Sequence, residues 1–428
     1  MIPKFTTNFV CAVDLDESDP LAHFRHRFFN PDPDMIYLDG NSLGRLPLQS
    51  IKKLNDVIQE EWGAGLIKSW NRGWYHRAAE TGKKISGIIG AKGNEVIVSD
   101  STSLNLYKLA FAATRLRPGR TKIVSDEFNF PTDLYILQGI INNLGAGYHL
   151  ELIPSHDGIT VDMDTISKYV DTDTALVVLS HVAFKSAFMY DMKSVTKLVH
   201  DRGALMLWDL SHAAGAVPVE LNACGADLAI GCSYKYLNGG PGAPAFLYVR
   251  EDIQDLTESP IWGWFGESNP FAFNLEYKPA KGINRFLVGT PPVLSLSGID
   301  QGVDLLLEAG IHNIRNKSIL QTEYLLFLVR EYLFPLGFTI GSPEDWHIRG
   351  SHVSLRHPEG YRICEALIHP QKGEIAVIPD FREPDNIRLG IAPLYNSFMD
   401  IHFAVQRILN ITSDKTYERY TADRRDVT

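Results

Sequence analysis

Through the middle of the chain, short apolar runs bounded by Gly, Asp and Ser alternate with longer segments of helical period. The runs predict strands at Glu95–Val98, Lys122–Val124, Leu176–Leu179, Leu205–Trp208 and Asp227–Gly231. Apolar runs this short fit strands buried on both faces. Between them, Leu104–Leu116 and Ser194–Asp201 repeat apolar residues at helical spacing. Strands alternating with helices predict βαβ units and a mostly parallel sheet. The run Ala245–Val249 follows its predecessor after a Gly/Pro turn too short for a parallel crossover, so it is expected as an antiparallel neighbour. Beyond Pro292 the pattern changes. Gly298–Gly310 and Lys317–Leu333 read as long amphipathic helices, Ser351–His357 alternates like a strand, and a last helix is expected around Ser397–Leu409. The expected organisation is an irregular segment over residues 1–50, packing on the large domain or on a partner subunit, a large α/β domain over 51–295, and a smaller α+β domain over 296–428.

Composition narrows the function classes. Of 428 residues, 45% are hydrophobic and 21% charged, ordinary for a folded soluble protein. The net charge of −10 comes without a long basic run, which argues against nucleic acid or an anionic membrane as partner. Cys11, Cys224, Cys232 and Cys364 are scattered without a CxxC pair, so neither a metal knuckle nor a disulfide framework is expected. The N-terminus lacks the basic start and long apolar core of a signal peptide, and no apolar stretch is long enough to span a membrane. A cytoplasmic protein is the expectation.

Candidate chemistry gathers at predicted strand ends. Lys235 lies in GCSYKYLNGGPG (Gly231–Gly242), just after a buried-strand pattern. Ligands of open α/β sheets bind at the carboxyl ends of strands, and a partly desolvated lysine is a nucleophile suited to imine chemistry. The plain alternative is a surface lysine beside a turn. Asp209 ends the apolar run of LMLWDLSHAAGAVP, with His212 three residues on. It suits either a pyridinium partner or a helix cap. Ser99–Ser103 precede a helical pattern and form either a phosphate cradle or an ordinary N-cap. Phe130 in EFNFPTD could stack on a flat ring or fill the core, with Asp133 three residues later. Arg388 sits in an apolar, strand-like run and needs a carboxylate or phosphate, whether from a ligand or from the chain itself. No GxGxxG, Walker or HExxH motif occurs. In order along the chain stand a phosphate-type helix start, an aromatic, an aspartate, a lysine and a late arginine. Together they match the needs of pyridoxal 5′-phosphate (PLP).

At this point the chain resembles the kynureninase family of fold-type I PLP enzymes over nearly its whole length. The resemblance rests on YLDGNSLG (Tyr37–Gly44), DSTS (Asp100–Ser103), FPTD (Phe130–Asp133), WDLSHAAGAVPV (Trp208–Val219), GCSYKYLNGGPG, GWFG (Gly263–Gly266), GTPP (Gly289–Pro292) and APLYNSF (Ala392–Phe398). It implies a transferase-like α/β fold with a mostly parallel sheet of seven-stranded type flanked by helices. It implies Lys235 as the imine lysine and Asp209 as the pyridinium partner, with His212 beside it. Thr102, Ser103 and Tyr234 would hold the phosphate, Phe130 would stack on the ring, and Asp133 would lie near the cofactor. Trp264 and Thr290 would enter the neighbouring subunit's site, which implies a homodimer. Arg388 would bind the substrate α-carboxylate, and Ser42 would line the substrate pocket. The implied activity is hydrolysis of L-kynurenine, or 3-hydroxykynurenine, to the anthranilate and L-alanine. Lys235 would be the base and Tyr234 a proton carrier. The implied setting is tryptophan catabolism toward NAD, or a specialised biosynthesis. No metal is implied. Three positions depart from the family pattern: Ala183 stands where Asn is usual, Ala187 where Gly is usual, and Glu267 where His is common. They leave open a modified kynurenine or another β-acyl amino acid. An aminotransferase, a desulfurase of the same fold, or a non-catalytic relative are the alternatives. A desulfurase wants a mobile loop cysteine, whereas Cys364 is expected on a helix.

Overall fold

The apolar runs form one seven-stranded sheet in a computed structural model that describes residues 2–145 and 147–423. Its strands lie in the order Val96–Val98, Phe246–Val249, Leu228–Gly231, Leu205–Asp209, Thr174–Ser180, Lys122–Asp126, His149–Ile153. Phe246–Val249 runs antiparallel to both of its neighbours, and the remaining pairs are parallel. The short Gly/Pro turn before it thus does what its length requires. Helices Thr102–Arg115, Pro131–Leu144 and Met192–Asp201 cross between strands, and their apolar faces join the sheet in one core. The edge strand His149–Ile153 was not legible as an apolar run. Its residues are mostly half-exposed, and its Glu151 pairs with Lys122 on the next strand at 3.0 Å.

A second core gathers around a four-stranded antiparallel sheet ordered Asp380–Arg382, Asn386–Gly390, His352–Arg356, Thr339–Ile340. Helices Ile311–Tyr332, Gly360–Ile368 and Phe398–Ser413 pack on it. Core residues of helix Ile299–Ala309 belong to the first core, whereas Tyr324–Val329 of the following helix belong to the second.

The first fifty residues are more ordered than expected. Phe9–Glu17 is helical, and Met35–Tyr37 pairs in parallel with Ala376–Ile378. The Asp16 carboxylate accepts the backbone N–H groups of Phe398 at 2.8 Å and Met399 at 3.0 Å. It thereby caps a helix nearly four hundred positions away in sequence, alongside a local capping box of Ser397 and Asp400. No local pattern announces a cap contributed from so far away.

Between Val182 and Met189, which face each other as an antiparallel bridge, the chain makes a tight turn. Ala187 closes it with a φ of +64°, and its N–H donates to the Ala183 carbonyl at 3.0 Å. A Cβ is strained in that conformation, and glycine is not. Ala187→Gly is therefore expected to stabilise the fold by about 0.5–1 kcal/mol, read as a higher urea midpoint at unchanged slope. An unchanged or lower midpoint would show that the turn relaxes around the alanine.

Candidate active site

The parallel strands all end at one edge of the sheet, and the side chains singled out above stand there. Asp209 is the last residue of Leu205–Asp209, Lys235 follows Leu228–Gly231 by four residues, and Thr102 follows Val96–Val98 by four. One cavity of about 320 Å³ is lined by Ser42, Thr102, Ser103, Phe130, Asp133, Asp209, His212, Tyr234, Lys235 and Arg388. Trp264 and Thr290 do not line it; both are exposed elsewhere on the chain. Five further residues on its wall were not singled out from sequence: Asn41, Thr132, Phe184, Ser211 and Arg382. Asn41, Thr132 and Ser211 lie inside motifs quoted above, so their neighbours were the available signal.

Asp209 is held rigidly. One carboxylate oxygen accepts from the Ser211 N–H at 2.8 Å and the Ser211 hydroxyl at 2.6 Å, and the other faces the Ser180 hydroxyl at 3.4 Å. Burial pushes its carboxyl up, opposed by Ser211 and Lys235. Burial and then Asp209 push Asp133 up further. One Asp133 oxygen is buried without a hydrogen-bond partner among the described residues. Two buried acids facing a cavity accommodate a cationic ring better than a neutral one.

Lys235 is half-buried. Its Nζ stands 3.5 Å from the His212 Nε2 and 5.9 Å from the ring centroids of Phe130 and Tyr234. Burial and the lysine charge hold His212 well below the ordinary histidine value, so it faces the amine as a neutral ring. Burial also raises the Tyr234 phenol, keeping it protonated.

The loop Gly40–Gly44 closes one side. The Gly44 N–H donates to the Tyr234 carbonyl at 2.8 Å, and a Cβ at Gly44 would fall 2.3 Å from the Lys235 carbonyl oxygen. Glycine there lets the two backbones touch. The run GNSLG has the GxSxG spacing of serine hydrolases, yet the Ser42 hydroxyl bonds to Asp380 at 2.9 Å and Arg388 at 3.1 Å rather than to a histidine.

Arg388 comes from the second core. Strand register places it directly opposite Asp380, and the two form a buried ion pair at 2.6 Å. Its other Nη donates to the Phe184 carbonyl at the tip of the Ala183–Ala187 turn. Arg382 shares the same Asp380 oxygen at 2.8 Å. Asp39 faces these arginines as well, its carboxyl pushed up to about 6 by burial and by Asp380.

Glu267 does not reach the cavity: it accepts the Ser268 hydroxyl and the Asn269 N–H within its own loop. Cys364 is buried on helix Gly360–Ile368, and burial raises its thiol well above the ordinary range. It offers no thiolate to a mobile loop.

These features fit pyridoxal phosphate. The first turn of the fourteen-residue helix Thr102–Arg115 presents N–H groups and two hydroxyls to a phosphate. The paired acids suit a protonated ring nitrogen, and among the described residues the Lys235 Nζ has only one long hydrogen bond to give up.

Comparison with known proteins agrees with this geometry. The model of the kynureninase C-terminal domain matches residues 314–408, and that of class-V aminotransferases matches residues 36–335. The chain is 44% identical to a kynureninase of Pseudomonas fluorescens, over 94% of this chain and 95% of that protein. It is 43% identical to a kynureninase of Burkholderia mallei, over 95% and 96%. Among solved structures it shares the fold of a cysteine desulfurase from Thermococcus onnurineus, with a TM-score of 0.76 at 20% identity, covering 94% of this chain and 98% of that one. It likewise resembles a C-DES variant with glycine linked to its PLP cofactor, with a TM-score of 0.76 at 17% identity, covering 90% and 99%.

Proposed function

The chain belongs to the kynureninase family, and from that premise we propose that it hydrolyses L-kynurenine, or its 3-hydroxy form, at the Cβ–Cγ bond to the anthranilate and L-alanine. The observation that carries this reading is the convergence of Lys235, Asp209 and Arg388 on one cavity. When bound, pyridoxal phosphate supplies an electron sink for charge that develops on the substrate.

The protein's own groups do the rest. Thr102 and Ser103 anchor the phosphate, with Tyr234 reaching it, and Phe130 covers the ring face. Asp209, fixed by Ser211, keeps a proton on the ring nitrogen, and Asp133 and His212 border the ring. Arg388 fixes the substrate carboxylate, which aims the Cα–H at the Lys235 Nζ, and Lys235 moves that proton. Tyr234, kept protonated by burial and with its ring centroid 5.9 Å from the Lys235 Nζ, is the proton carrier of the proposal as the aryl acid departs. Ser42 borders the substrate pocket while bonding to Arg388.

A homodimer is part of the proposal. Trp264 and Thr290 are exposed, and two residues after Thr290 the chain enters a recess lined by Trp62, Trp74, Pro292, Val293, Leu294 and Ser295. Such a surface suits burial against a second copy. Sedimentation should give twice the 47.9 kDa chain mass. The four free cysteines suit a reducing compartment, the cytoplasm, and no helix among the described residues is long and apolar enough to cross a membrane.

Incubation with L-kynurenine and with 3-hydroxykynurenine tests the reaction. Equal amounts of alanine and the fluorescent anthranilate are expected, without any 2-oxoacid. Amino transfer that depends on a 2-oxoacid, or sulfur release from cysteine, would overturn it.

A further inference from the structure

Asp209 has one oxygen to spare, and a residue behind the cavity wall decides what reaches it. Its Oδ1 takes both Ser211 donors, and its Oδ2 takes neither. The neighbour of that Oδ2 is the Ser180 hydroxyl, 3.4 Å from it but only 2.7 Å from the Asn129 Oδ1. A hydroxyl carries one proton, so it can serve one of these two acceptors.

The amide of Asn129 settles which one. Asn129 directly precedes Phe130 and is buried, as are Ser125 and Ser180. Its Oδ1 must face the Phe130 N–H, 2.9 Å away, because that backbone group can only donate. Its Nδ2 then faces the other side, where the Ser125 hydroxyl lies at 3.1 Å and the Val178 carbonyl at 3.4 Å. Ser125 spends its own proton on that carbonyl at 2.8 Å, so it meets the amide with a lone pair. Turning the amide over would set one N–H against another at Phe130. With Oδ1 so fixed, Ser180 has an acceptor at 2.7 Å, and the 3.4 Å contact to Asp209 is too long to compete.

We infer that Asn129 is a positioning residue: it draws the Ser180 proton away from Asp209 and so keeps the Oδ2 of that carboxylate free for the ring nitrogen of the cofactor. The inference rests on reading the cavity as a PLP site with Asp209 as the pyridinium partner. A hydrogen bond donated to a carboxylate stabilises its charge and makes it a weaker proton acceptor. Ser180 turned toward Asp209 would compete for the oxygen that holds the ring's proton. The same amide oxygen fixes the backbone of Phe130, so one buried side chain orders both the face and the charge of the ring site.

The test loads the protein with PLP carrying ¹⁵N in its ring and reads the protonation of that nitrogen by NMR, beside kcat. Asn129→Ala frees the Ser180 hydroxyl. The ring signal is expected to move toward the unprotonated position, and kcat to fall roughly tenfold. Removing the hydroxyl as well should undo the harm. Asn129→Ala/Ser180→Ala is expected to return the ring signal toward wild type and kcat to within about threefold of Ser180→Ala alone. Asn129→Asp still offers Ser180 an oxygen, so its ring signal should stay at the wild-type position. An unmoved signal in Asn129→Ala, a displaced one in Asn129→Asp, or a double variant no better than Asn129→Ala would overturn the assignment. A loss of packing alone would be deepened by the second truncation, not repaired. Were Asp209 not the ring's partner, the nitrogen would be unprotonated in the wild type already, which would overturn both readings. A protonated ring without anthranilate from kynurenine would overturn the hydrolysis alone.

Discussion

Lys235→Ala is expected to lower kcat by roughly 10⁴-fold or more, the largest effect of any single change in the chain. Two functions are lost at once: the covalent hold on the cofactor and the base that moves the Cα proton. A positioned base alone contributes roughly 10²–10⁴-fold. The cofactor should still bind, because Thr102, Ser103, Asp209 and Phe130 are untouched, but its visible absorbance band should shift. The result is little confused by lost structure: among the described residues the Nζ makes one hydrogen bond, to His212 at 3.5 Å, although its charge also faces Asp209 and Asp133. A small primary amine added to the variant should restore part of the activity. Near-normal turnover in Lys235→Ala would mean that the proton moves by another route.

Asp209→Asn is expected to cost roughly 10³-fold in kcat, about 4 kcal/mol of barrier, while the protein remains folded. The amide is the same size and keeps one oxygen for the two Ser211 donors at 2.8 and 2.6 Å. It carries no negative charge, so it cannot hold a proton on the ring nitrogen, and the electron sink weakens. Cofactor affinity should fall far less than kcat, because the phosphate and ring-face contacts remain. A loss confined to affinity would make Asp209 an anchor with no hold on the ring's charge.

Much of this was legible along the chain. Strands buried on both faces show as apolar runs, and in a parallel sheet their carboxyl ends mark the site in advance. Asp209, Lys235 and the Thr102 helix start all followed that logic. Asn41, Arg382 and Phe184 did not, because they reach the cavity through long-range docking of the Gly40–Gly44 loop, the second sheet and the Val182–Met189 turn. Asp380 is opposite Arg388 only through strand register, which no local pattern encodes. The edge strand His149–Ile153 was missed for the opposite reason, since half-exposure breaks its apolar run. Ala187 shows how a departure from the family pattern can be a matter of backbone: its φ is +64°, where glycine would be at ease. Glu267, a further departure from the family pattern, accepts the Ser268 hydroxyl and the Asn269 N–H of its own loop.

Borohydride reduction of the pyridoxal phosphate-loaded protein, followed by mass-spectrometric peptide mapping, tests the covalent attachment most directly. A pyridoxyl group on the peptide containing Lys235, and on no other, is the predicted result. A label on another lysine, such as the buried Lys108 paired with Asp100 at 2.8 Å, or no label although cofactor is bound, would contradict it.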